Sequence, residues 1–210
     1  VENVECIRPP HHGKDLRSSI DLRIQYVAYR TLKAAIQAYN AESGSIVVLD
    51  TLTGEVLAIA NQPTYNPNDR SQLVPDRYRN RAITDIFEPG SSLKPLVVAA
   101  ALESGQYRPS SIVDTAPGYI VVGPKKIEDS RNLGRVSLTT ILARSSNVGI
   151  TKLAMTLQPD QLWETMTHFG LGELTTSGFP GESAGMLTHY SNWRPISQAT
   201  LAYGYGVSVT

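Results

Sequence analysis

The chain has 210 residues, 41% hydrophobic and 18% charged, with 19 basic against 19 acidic side chains. That is the composition of an ordinary globular domain, long enough for one core and at most two domains. A neutral balance without a basic stripe argues against a nucleic-acid partner. No apolar run approaches the roughly 18–20 residues that a membrane-crossing helix needs.

Residues 1–18 are polar and broken by Pro9, Pro10 and Gly13, so they read as a linker. The lone cysteine, Cys6, stands in no metal or redox motif and staples nothing. His11 and His12 are adjacent, so their side chains point apart, and no Cys or carboxylate lies at ligand spacing. A solvated linker is the better reading, and no metal is expected. From Asp21 to Asn40 the apolar residues Ile24, Val27, Ala28, Leu32, Ala35 and Ile36 repeat with helical spacing, with Ser19 or Asp21 as the cap. Ser45–Asp50 and Glu55–Ala60 are apolar, β-branched runs around a turn ending in Gly54, which predicts a hairpin. The second run is apolar almost throughout, as in a strand covered on both faces. Residues 61–80 read as an ordered surface loop.

A helix is predicted over 92–104, closed by Gly105. A small hairpin follows over Tyr119–Ile127, turning at Gly123-Pro124. Short apolar helices are expected over Leu138–Arg144 and Val148–Leu157, interrupted at Ser145-Ser146-Asn147, with another at about 160–169 before Gly170. The remainder reads as loop. Helix, hairpin and helical block together predict an α/β fold, a sheet flanked by helices. A two-stranded sheet does not stand alone, so the hairpin is expected to find neighbours beyond this chain.

Ser91-Ser-Leu-Lys94 is an S-x-x-K sequence at a loop-to-helix junction, after Glu88-Pro89-Gly90. Positions i and i+3 share a helix face, which brings Ser91 Oγ and Lys94 Nζ within hydrogen-bond reach. A hydroxyl becomes a useful nucleophile when a neighbouring base takes its proton. Lysine can be that base where burial lowers its pKa. Pro95 has no N–H for the carbonyl of residue 91. The motif alone is short enough to arise by chance, with a capping serine and a solvated lysine. A hydroxyl and an amide across the cleft, S-x-N, would support it. Ser130-Arg-Asn132 lies in a polar turn, whereas Ser145-Ser-Asn147 lies on the break between two apolar helices, where polar groups can project into a cavity. Ser145 and Asn147 are therefore preferred. None of the six lysines (14, 33, 94, 125, 126 and 152) begins a K-[ST]-G sequence.

Glu88-Pro-Gly-Ser-Ser-Leu-Lys-Pro95 and Ser145-Ser-Asn-Val-Gly149 together resemble the first two active-site motifs of class B penicillin-binding proteins. The likeness leans toward the division-specific (septal) peptidoglycan D,D-transpeptidases. It is extended by Gly54-Glu-Val-Leu-Ala58, Pro63-Thr-Tyr-Asn-Pro-Asn68, Phe169-Gly-Leu-Gly172 and Tyr203-Gly-Tyr-Gly206. The resemblance implies the penicillin-binding-protein and β-lactamase-like fold. Residues 1–18 would be a linker from an N-terminal pedestal, and 19–210 the first part of a transpeptidase domain whose K-[ST]-G strand lies further on.

By the same resemblance Ser91 would attack the D-Ala-D-Ala bond of a peptidoglycan stem peptide, with Lys94 as base. Ser145 would pass a proton to the leaving D-alanine, and Asn147 would hold the donor backbone. Tyr203 and Tyr205 would line the cleft or serve as core aromatics. β-Lactams would acylate Ser91, and no cofactor is implied. The expected setting is the periplasmic face of the inner membrane, on an anchor outside this chain, among division proteins that include a glycosyltransferase. Loss of one oxyanion donor costs on the order of 100- to 1,000-fold, so these residues alone are expected to turn over feebly. A β-lactamase with an E-x-x-L-N deacylation motif is disfavoured, because Glu164, Glu173 and Glu182 all lack that context. A D,D-carboxypeptidase would use the same residues with water as acceptor. A non-catalytic β-lactam sensor or a division scaffold would keep the fold without the turnover.

Overall fold

A computed structural model describes residues 12–69, 71 and 74–210. Cys6, Pro9, Pro10 and His11 lie outside them. The chain divides into two compact units between Ala82 and Ile83, within the one-turn helix α2 (Arg81–Thr84). Sequence reading places no boundary there.

In the first unit, α1 spans Leu22–Tyr39. Of the two candidate caps it is Asp21 that accepts the N–H groups of Arg23 at 2.9 Å and Ile24 at 3.4 Å. Those bonds satisfy donors that a helix start leaves open. Its apolar stripe, Ile24, Ala28, Leu32 and Ile36, packs on the antiparallel hairpin of β1 (Gly44–Leu49) and β2 (Val56–Gln62). Ala58, Ala60 and Gln62 are buried while the residues between them are only half-buried. The expectation of a strand covered on both faces is thus met on one face only. Among the described residues β2 pairs with β1 alone. Its other edge is satisfied by side chains and backbone from further up the chain. Gln25 Nε2 donates to the Ile59 carbonyl and Gln25 Oε1 accepts the Ile59 N–H, each at 2.8 Å. Ser19 Oγ donates to the Val56 carbonyl and the Asp21 N–H to that of Leu57. This amide-and-hydroxyl edging does what a neighbouring strand would do for the ladder groups of an edge.

The second unit is built on three helices. α3 (Lys94–Glu103) packs against α5 (Asn147–Ala154) and α6 (Pro159–His168). Val97, Ala101, Ile150, Leu153, Leu162 and Met166 are all fully buried at the centre of the resulting core. α3 begins at Lys94 rather than residue 92, because Gly90–Leu93 form a 3-10 turn. Pro95 is the reason: it has no N–H for the Ser91 carbonyl, which takes the N–H of Lys94 instead. Two further antiparallel pairs frame this core, β3 (Ile112–Asp114) with β6 (Arg135–Ser137), and β4 (Tyr119–Val122) with β5 (Lys125–Glu128). The second is the predicted small hairpin; the first pair falls where the sequence pattern shows only loop. α4 (Leu138–Ala143) leads to α5, and α7 (Pro195–Leu201) likewise lies in a stretch with a loop-like pattern. No described helix is long and apolar enough to cross a membrane.

Candidate active site

Four features of the second unit converge on one place. The first is the turn before α3. Gly90 has φ +57°, open to glycine at little cost, and its N–H donates to the Gly204 carbonyl at 3.1 Å. A Cβ on Gly204 would stand 1.8 Å from the Gly90 carbonyl oxygen, so no other residue permits that approach. Phe87 and Val209 exchange both backbone hydrogen bonds at 2.9 Å, and Glu88 Oε1 accepts the Gly206 N–H at 2.8 Å. The segment that presents Ser91 is therefore strapped along residues 204–209. Ser91 itself is exposed.

The second feature is Lys94, whose side chain begins α3 pointing inward and is only 1% exposed. An ammonium so placed must find acceptors for its protons. It donates to the Ser145 carbonyl at 2.6 Å, to Ser145 Oγ at 2.9 Å and to Asn147 Oδ1 at 2.7 Å. Three donors meet three acceptors, and none of these bonds goes to Ser91. The hydrogen-bond partners of Lys94 are thus the S-x-N residues rather than Ser91. Burial pushes the Lys94 amine down from 10.5 to about 8, partly opposed by the charge of Asp129.

The third feature is the break between α4 and α5. Ser145 has φ +53°, a left-handed conformation that costs a non-glycine residue on the order of 1 kcal/mol. Ser146 caps α5, with its Oγ accepting the Gly149 N–H at 2.8 Å. Asn147 Nδ2 donates to the Glu128 carbonyl at 3.3 Å, which leaves its Oδ1 for Lys94. In the alternative S-x-N sequence the asparagine is occupied elsewhere. Asn132 Oδ1 accepts the Gly134 N–H at 2.9 Å in its own turn, as a plain Asx turn would.

The fourth feature is Asp129, which in the sequence is only one more polar residue of a loop. Its Oδ2 accepts the Ser146 hydroxyl at 2.6 Å and its Oδ1 the Val148 N–H at 3.0 Å.

Ser91 and Asn147 border two cavities. One, of about 620 Å³, is completed by Ser145, Asp129, Ser130 and Arg131 among others. The other, of about 450 Å³, is walled by Tyr203, Tyr205, Lys126 and Glu128. The two tyrosine rings stand 5.5 Å apart at 62°. Tyr203 is buried in the core while Tyr205 is exposed, so Tyr203 both packs and lines. A reacting carbonyl placed at Ser91 would thus have a hydroxyl to attack it, a lysine of lowered basicity behind Ser145, and an amide at Asn147.

Comparison with known proteins gives the following. The family described as the penicillin-binding protein transpeptidase domain matches residues 44–210. The chain is 38% identical over 209 residues to the probable peptidoglycan D,D-transpeptidase PbpC of Pseudomonas aeruginosa, covering all of this chain and 37% of that protein. It is 45% identical over 196 residues to the peptidoglycan D,D-transpeptidase FtsI of Escherichia coli, covering 93% of this chain and 33% of that one. The chain thus spans about a third of these curated relatives. Two solved structures superpose on it. One is described as a peptidoglycan glycosyltransferase from Burkholderia ambifaria, with TM-score 0.83, 43% identity, and 92% of this chain and 57% of that one covered. The other is the apo TP domain of Burkholderia pseudomallei penicillin-binding protein 3, with TM-score 0.81, 42% identity, and 91% and 54% covered.

Proposed function

The chain belongs to the transpeptidase-domain family of penicillin-binding proteins, and from that premise we propose that it supplies the acylating half of a peptidoglycan D,D-transpeptidase site. The observation that carries the proposal is the buried Lys94, 1% exposed, hydrogen-bonded to both Ser145 and Asn147, which border the same cavity as the exposed Ser91. In this reading neutral Lys94 accepts the Ser91 proton as Ser91 Oγ bonds to the carbonyl carbon between two D-alanines of a stem peptide. The C–N bond then breaks, and the leaving amine receives a proton through Ser145, which already contacts Lys94. Asn147 orients the donor backbone, and Tyr203 and Tyr205 form the wall beside it. An amine of a second stem peptide then displaces Ser91 from the acyl carbon, which forms the cross-link. β-Lactams would stop at the acyl-enzyme.

The remaining proposals follow from the septal resemblance. They place the protein at the periplasmic face of the inner membrane, among division proteins that include a glycosyltransferase partner. The test is incubation with an acyl-D-alanyl thioester donor and a D-amino acid acceptor, with products separated by chromatography. Amide product accompanying thiol release is expected. Hydrolysis alone would replace the reading with a D,D-carboxypeptidase, acylation without turnover with a sensor, and no acylation of folded protein with a scaffold.

A further inference from the structure

The loop between β5 and β6 contains the second S-x-N sequence, and the residue just before it, Asp129, touches the turn that holds Lys94. Its two carboxylate oxygens are engaged separately. Oδ2 takes the Ser146 hydroxyl at 2.6 Å and Oδ1 takes the Val148 N–H at 3.0 Å. Ser146 in turn accepts the Gly149 N–H. Asp129 and Ser146 therefore satisfy two of the open N–H groups of α5, and a carboxylate is the favoured charge at that end. The clamped Ser146 directly follows the left-handed Ser145. The carbonyl and hydroxyl of Ser145 and the amide of Asn147 are aimed at Lys94 together.

We propose that Asp129 is a positioning residue for this site. Its carboxylate ties the turn carrying Ser145 and Asn147 to the β5–β6 loop, and it sets a negative charge against Ser146, the residue next to the Ser145 groups that hold Lys94. The inference rests on the functional reading given above, and it adds a residue outside the two recognition motifs.

Other charged groups stand nearby. Arg131 and Arg144 line the larger cavity, and Lys125, Lys126 and Glu128 the smaller one. Lys126 is paired with Glu128. The negative charge of Asp129 favours the charged amine of Lys94, against the effect of burial. Half-buried carboxylates act strongly on a neighbour that water does not reach. Removing the charge while keeping the shape should therefore let Lys94 lose its proton at lower pH. It should also loosen the turn, because an amide in place of the carboxylate has one acceptor oxygen for two donors.

The test uses Asp129→Asn and Asp129→Glu, each checked for folding by thermal melting, with two readouts. The first is the Lys94 titration, followed by NMR of Nζ-labelled lysine. The second is the pH profile of acylation by benzylpenicillin. Asp129→Asn should move the Lys94 midpoint below the wild-type value and lower the maximal acylation rate on the order of 100-fold, the scale of a 1 Å misplacement. Asp129→Glu should leave the midpoint close to that of wild type while the rate still falls, since charge is kept and reach is not. A Lys94 midpoint unmoved in folded Asp129→Asn would overturn the electrostatic role. A wild-type maximal rate in that variant would overturn the positioning role. Failure of the wild-type chain to acylate would instead refute the functional reading, and the NMR titration would still decide the role of Asp129.

Discussion

Changing the protonation of Lys94 is the sharpest perturbation available. Its amine titrates at about 8 rather than 10.5. At neutral pH that makes about a tenth of the molecules neutral at this site, against about 0.03% for an unperturbed lysine, a gain of about 300-fold in the base form. Between roughly pH 6 and roughly pH 9 the neutral fraction rises from about 1% to about 90%. The second-order rate constant for acylation by a fluorescent penicillin should therefore climb by about 90-fold over that range and level off above it. Lys94→Arg keeps the charge on a longer side chain that never deprotonates, and should cost at least on the order of 100- to 10,000-fold, the usual share of general-base catalysis. A flat profile, or a rate still climbing at pH values near 10.5, would refute the assignment. The same shift has a stability signature. Because the folded amine is less basic than the unfolded one, the unfolded chain binds more protons between about 8 and 10.5. Stability should thus rise with pH across that window. Below it the full cost of about 3 kcal/mol for holding a buried ammonium is present.

Three further substitutions separate the site from its scaffold. Gly204→Ala forces a methyl group to within 1.8 Å of the Gly90 carbonyl oxygen at φ +87°. The backbone term alone costs about 1–2 kcal/mol, and displacement of the Ser91 turn should reduce acylation on the order of 100-fold, as read by melting and by penicillin labelling. Asn147→Ala removes one of the three acceptors of the Lys94 ammonium. The midpoint of the acylation profile should move to lower pH, because the charged form has lost a partner. Leu162→Ala empties a fully buried position in α6. It should cost about 2–5 kcal/mol while leaving the acylation rate of the folded protein unchanged, as urea titration and labelling at low temperature would show.

Periodicity makes the long elements readable, and the reasons for the failures are physical. Ile24, Ala28, Leu32 and Ile36 announce α1 because the whole stripe lies within one continuous segment, and the stripe does pack on the hairpin. β3 and β6 are hidden because each is three residues long and its partner lies more than 20 residues away, so no local alternation betrays either. α7 is seven residues long and opens on Pro195, which reads equally well as a loop. Within the site, Ser91, Lys94, Ser145 and Asn147 are legible as short motifs, since i to i+3 spacing is itself a geometric statement. The partner that Lys94 adopts is not legible. It depends on residues 51 and 53 positions downstream, and on Pro95 shifting the start of α3. Asp129 is hidden for the same reason, since its meaning lies in contacts 17 and 19 residues away. Gly204 can be suspected from Tyr203-Gly-Tyr-Gly206, but only the approach of Gly90 explains why a side chain is forbidden there.

The claim on which everything else depends is that Ser91 is an activated nucleophile, and intact-mass spectrometry after incubation with benzylpenicillin tests it most directly. One penicilloyl unit per chain, mapped to the peptide bearing Ser91 and absent from Ser91→Ala, is the predicted result. Folded protein that gains no mass, or an adduct that persists in Ser91→Ala, would contradict it.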